Sequence, residues 1–159
     1  MATVEATQQK VQRMLVEGFG DIILSKDGSF AIERGSTRVN VEVRDWGKDT
    51  KGEPSAIVRI WAMVARGVKP TPEFYRWAAV DGSKFMFGSV TVLENEGGTE
   101  AMVAFDHTLL ADYLDLDELC GAVAMISGSA DDIDDIVHDR FGGKRYIDPD
   151  DAPPAPPAA

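Results

Sequence analysis

Few residues in this chain have the type and spacing that chemistry requires. The sharpest string is Asp131-Asp132-Ile133-Asp134-Asp135, a DDxxD pattern whose carboxylates at i, i+1 and i+4 can share a hard cation such as magnesium. The isoprenoid chemistry done with that pattern shelters a carbocation in a large all-helical cavity, and this chain has too few helices and too little length for one. A calcium loop fails as well, for want of its glycine and alternating acids. The string reads as the solvated face of a helix. Two imidazoles are present, His107 and His138. His107 follows Asp106, so a general base oriented by a carboxylate is conceivable, but no nucleophile can be assigned to the pair. His138 falls near a helix C-terminus, where a cation suits the helix dipole. The Ser127-Gly128-Ser129 run lacks the context of a nucleophile elbow and reads as a bend in a helix. GxGxxG, GxxxxGK[ST], GxSxG and HExxH are all absent, so no catalytic residue, metal site or cofactor is expected. The single cysteine, Cys120, excludes an internal disulfide, and its place on an apolar stripe makes it a small buried hydrophobe.

Composition narrows the field further. The chain has 159 residues, an apolar fraction of 44% and a net charge of −11, which suits one soluble domain and opposes binding to nucleic acid or anionic membranes. Its start lacks a signal-peptide pattern and no stretch is apolar enough to span a membrane, so a cytoplasmic protein is expected.

The element that organises the chain is Asp115 to Gly143. Leu116, Leu119, Cys120, Val123, Ile126, Ala130, Ile133, Val137 and Phe141 recur every three or four positions, one stripe of a helix. Asp115 can cap its start and Gly142-Gly143 can end it. Such a stripe needs a broad apolar surface, which strand-like segments upstream must supply. Thr3 caps a first helix running to about Val16, and a loosely marked strand follows at Ile22-Ile23-Leu24. Phe30 and Ile32, then Val39, Val41 and Val43, alternate with polar residues about a Gly35-Ser36 turn, the pattern of a hairpin with one dry face. After a polar loop, DWGKDTKGEPS, the stretch Ala56 to Ala65 sets Val58, Ile60, Ala62 and Val64 on one face and Ile57, Arg59, Trp61 and Met63 on the other. A strand apolar on both sides is usually central; either a helix covers its second face, or Trp61 and Met63 line an adaptable apolar groove. Thr71-Pro72-Glu73 starts a short helix carrying Phe74 and Trp77, a core pair or a subunit contact. Strands at Lys84 to Leu93 and Thr99 to Phe105 complete the set.

The expected fold is α+β: an antiparallel sheet of five to six strands with helices in α-β-β-β-α-β-β-α order. One domain should cover residues 1–146, followed by a disordered Pro/Ala-rich acidic tail, 147–159.

This order, together with the segments TPEFYRWAAVDG (71–82), KFMFGSVTV (84–92), HTLLADYLDLDELCGAVAMIS (107–127) and DDIDDIVHDRFGGKRY (131–146), resembles class I type III secretion chaperones and the YbjN family, especially actinobacterial relatives. The resemblance implies an acidic, cytoplasmic, commonly homodimeric protein that binds an extended peptide segment of a client and does no chemistry. On strand faces, Trp61, Met63 and Phe87 are the candidates for the peptide groove, and Phe74 and Trp77 for the dimer contact. The alternative is a small-molecule-binding regulator or a small enzyme using Asp106 and His107.

Overall fold

The computed structural model describes residues 3–146; the tail expected at 147–159 lies outside them. The chain runs α1 (Val4–Phe19), β1 (Ile23–Leu24), β2 (Phe30–Arg34), β3 (Thr37–Lys48), β4 (Pro54–Val68), α2 (Pro72–Val80), β5 (Ser89–Glu94), β6 (Ala101–Leu110), α3 (Leu116–Phe141) and β7 (Lys144–Arg145). The strands form one seven-stranded antiparallel sheet in the order β1-β2-β3-β4-β6-β5, with β7 pairing the end of β4. The expected α+β architecture is found, enlarged by the two-residue β7.

Each helix begins where the sequence supplies a cap. The Thr3, Thr71 and Asp115 side chains accept hydrogen bonds from the backbone N–H of Ala6, Phe74 and Glu118 respectively. Pro72 occupies the start of α2, where its missing N–H costs nothing. Gly142, at φ 72, ends α3 in a backbone conformation that favours glycine. Helix α1 continues past its expected end at about Val16, through Gly18, and stops at Gly20.

One side of the sheet carries the helices. Val11 and Leu15 of α1 and Leu119, Val123, Ile126, Ile133 and Val137 of α3 are fully buried against Val39, Val41, Val58, Ile60, Ala62 and Val103. The α3 stripe is thus the roof of the core, as its periodicity requires. Asp131, in the acidic string, accepts hydrogen bonds from the hydroxyls of Ser36 and Thr37 and so ties α3 to the β2–β3 turn. Asp135 pairs with Arg145 of β7 at 2.6 Å, and Asp134 lies 3.6 Å from the same guanidinium. The acids of this string therefore face different partners on different elements.

Helix α2 closes one end of the core. The rings of Phe74 and Trp77 each lie 5.4 Å from that of Phe141, at the last turn of α3. Phe74 is 0% exposed and Trp77 4%, so the two rings expected at a dimer contact are packed within the chain itself, against Phe141 of α3.

Candidate peptide-binding face

Strand β4 sets the geometry of the other side. Val58, Ile60, Ala62 and Val64 point to the helices and are buried, so Ile57, Arg59, Trp61 and Met63 point the opposite way and are half-buried. The pairing registers extend this second face across the sheet. Trp61 stands opposite Asn40 on β3 and Asp106 on β6; Arg59 stands opposite Glu42 and Thr108; Met63 opposes Ala104; Ile57 opposes Arg44 and Leu110. The buried faces of all three helices are on the core side, and among the described residues no helix covers this one.

A polar belt crosses its middle, with one residue from each of four adjacent strands. The Arg59 guanidinium donates to Asp106 at 2.8 Å and to Glu42 at 3.1 Å, and the Thr91 hydroxyl donates to the other Asp106 oxygen at 2.8 Å. Glu42 also accepts from Arg44 at 2.8 Å. Partial burial pulls the Arg59 pKa down, but hydrogen bonds and charge from Asp106 and Glu42 outweigh it and hold the group above its ordinary value. The guanidinium also lies 5.7 Å from the centre of the Trp61 ring. The belt is internally neutralised and presents little unmatched charge.

Apolar surface lies on both sides of the belt. Toward the β3–β4 turn are Ile57 and Leu110, the latter at 59% exposure, and the hairpin itself carries Trp46, 62% exposed. Toward the opposite end are Trp61 and Met63, then Met102 and Leu93, which face each other across β6 and β5. Trp46 was hidden in what reads as a polar loop. In the structure β3 continues to Lys48 and β4 starts at Pro54, because strand pairing uses backbone groups that polar residues also carry. A register shift between Asp45 and Gly47 leaves Trp46 as the extra residue of a bulge, a local kink that re-aims a side chain.

Not every expected site residue gathers here. Phe87 precedes β5, which begins at Ser89 rather than Lys84, and its ring lies 5.3 Å from His107. His107 is in register with the fully buried Ile60, so its side chain belongs to the helix-side face, opposite to Trp61 and Met63. Phe87 is therefore not part of one groove with them. The same alternation separates Asp106 from His107. Strand β6 continues to Leu110, so these consecutive residues project to opposite sides of the sheet, and Asp106 is engaged by Arg59 and Thr91. They form no acid–base pair. Among the described residues, no three His, Cys, Asp or Glu side chains are grouped as metal ligands, and no helix is long and apolar enough to cross a membrane.

The chain is thus an antiparallel sheet with helices on one face and a half-apolar second face that no helix among the described residues covers. By comparison with known families, the chain belongs to TY-Chap1, the T3SS (YopN, CesT) and YbjN peptide-binding chaperone 1 family, which it matches over residues 5–149. No curated protein matches the chain.

Proposed function

We propose that this protein is a non-catalytic chaperone or adaptor that works in the cytoplasm as a homodimer and holds an extended segment of a client protein against the uncovered sheet face. The reading rests on one observation above all: two apolar patches, Ile57/Leu110/Trp46 and Trp61/Met63/Met102, flank a belt whose charges neutralise one another, in a member of a peptide-binding chaperone family. Burying the patches supplies affinity at roughly 25 cal/mol per Å² of apolar area. A belt that is already paired would add no strong preference for client charge. Trp61 and Met63 are the proposed anchors on one side of it, and Trp46 on the other.

The test is selection from a library of displayed peptides, followed by titration of the enriched sequences. Trp61→Asp should weaken binding at least tenfold while Phe87→Asp, on the other side of the sheet, leaves it within twofold. Equal loss with both substitutions would remove the sheet face as the site. Light scattering should give twice the chain mass; a monomer at all concentrations would remove the dimer alone.

A further inference from the structure

The uncovered face gathers its apolar side chains along β4 rather than across the sheet. Ile57, Trp61 and Met63 share that face with Arg59 alone among them, whereas a row across the strands such as Glu42, Arg59 and Thr108, or Asn40, Trp61 and Asp106, holds at most one. An extended segment that follows β4 has the same two-residue repeat, roughly 6.6 Å. Three of its inward side chains then reach Ile57, Trp61 and Met63, and the one between the first two reaches Arg59.

That crossing point has a charge balance of its own. Two cations, Arg44 and Arg59, are joined to two anions, Glu42 and Asp106, by ion pairs of 2.8, 3.1 and 2.8 Å. The Arg59, Glu42 and Asp106 side chains are only 22%, 23% and 18% exposed, so a segment laid over them removes much of the water that is left. A client charge of either sign would lose hydration there and find each opposite charge already matched. A neutral acceptor fares better. The belt engages the Arg59 donors on Nε and Nη1, and those on Nη2 have no partner among the described residues. Thr108, opposite Arg59, adds a hydroxyl.

We propose that Arg59 is the specificity-determining residue of the peptide face. Read from the Ile57 end, it selects a client segment whose first, third and fourth inward side chains are apolar and whose second is an uncharged oxygen acceptor from Ser, Thr, Asn or Gln. Specificity of this kind comes from what the belt rejects, a buried charge without a counter-charge, as much as from what it binds. The assignment rests on the sheet face being the client site, and it names the clients that site takes.

The test selects the displayed peptide library separately on the natural chain, on Arg59→Met, on Asp106→Asn and on the double variant. The natural chain should enrich uncharged acceptors at the second inward position. Arg59→Met leaves the belt one anion in excess and should turn that position to Lys and Arg. Asp106→Asn leaves it one cation in excess and should turn it to Asp and Glu. The double variant balances the belt again and should restore the neutral preference. For synthetic peptides differing only there, the ratio of the Ser to the Lys affinity should fall at least about tenfold between the natural chain and Arg59→Met. Circular dichroism identifies the variants that keep the fold, and because the two single substitutions shift the preference in opposite directions, either one alone decides. Peptides that need Trp61 but show the same central preference on every folded variant overturn the proposal and leave the sheet face as the client site. Peptides that bind Trp61→Asp undiminished remove the sheet face itself, and this assignment with it.

Discussion

Truncating Trp77 separates a core role from an interface role. Its side chain is 4% exposed and packs on Phe141 and Phe74, with centroids 5.4 and 6.2 Å away. Burying an aromatic side chain removes about 150–250 Å² from water, which at roughly 25 cal/mol per Å² amounts to about 4–6 kcal/mol. Compactness of the denatured chain lowers that figure, and the cavity left at the α2–α3 junction adds to it, so Trp77→Ala should cost about 3–5 kcal/mol. Against a typical total of about 5–15 kcal/mol, such a loss is severe. Urea unfolding followed by far-UV circular dichroism would measure it, with Trp61→Ala as the comparison. Trp61 is only half-buried on the uncovered face and should cost roughly 1 kcal/mol, with an unchanged m-value. The Trp77-specific loss should also be independent of protein concentration, since the ring is packed within its own chain. A Trp77→Ala protein that keeps its midpoint to within about 1 kcal/mol yet loses mass by light scattering would refute the reasoning and return the residue to a subunit interface.

Three further outcomes follow from side-chain geometry. Gly88→Ala should lower stability by about 1–3 kcal/mol in urea titration, because at φ 79 an added Cβ would sit 2.8 Å from the Asp106 carbonyl oxygen and 3.0 Å from the Phe105 ring. Arg59→Met keeps the length of the stem but leaves Glu42 and Asp106 without their shared cation; allowing for their partial solvent exposure it should cost about 1–2 kcal/mol, and a cycle with Asp106→Asn should show coupling. Asp134→Asn should hold or raise the melting temperature at neutral pH. Burial, the largest influence on Asp134, outweighs the charge of Arg145 and raises its pKa, so the folded state binds the proton more tightly than the unfolded one. The ionised form therefore costs stability above the folded pKa, and the cost vanishes as pH falls below the ordinary carboxylate value; the advantage of Asn over Asp should vanish with it.

The parts of the fold legible in the sequence are those fixed by local periodicity. Helix α3 announces its apolar stripe, its Asp115 cap and its Gly142 stop, and β4 announces two apolar faces within one strand. What local pattern cannot carry is the identity of the surface each face meets. Phe74 and Trp77 on a nine-residue helix are equally compatible with a core and an interface; Phe141, sixty-odd positions later, decides for the core. The polar belt is a matter of register, since Glu42, Arg59, Thr91 and Asp106 converge only once β3, β4, β5 and β6 have paired. Phe87 was misplaced for a different reason. The alternation of Lys84 to Leu93 looks continuous, yet the positive φ of Gly88 interrupts it before the strand begins.

The mismatch in length between helix and strand explains why surface remains uncovered at all. Helix α3, with 26 residues at about 1.5 Å each, reaches roughly 39 Å, while β4, with 15 residues at about 3.3 Å, reaches roughly 50 Å. One helix of this length also covers only one side of the sheet. The β3–β4 hairpin carries Trp46 62% exposed, and among the described residues no helix covers the opposite face. A flat apolar face on an open sheet would invite other sheets indiscriminately. Here the Arg59 belt interrupts it, and stacking two such faces directly would desolvate both belts, at several kcal/mol per poorly matched ion. The net charge of −11 opposes the same self-association at longer range. A narrow extended segment can lie along an apolar patch without covering the belt, which is the geometric reason a peptide suits this face better than a second sheet does.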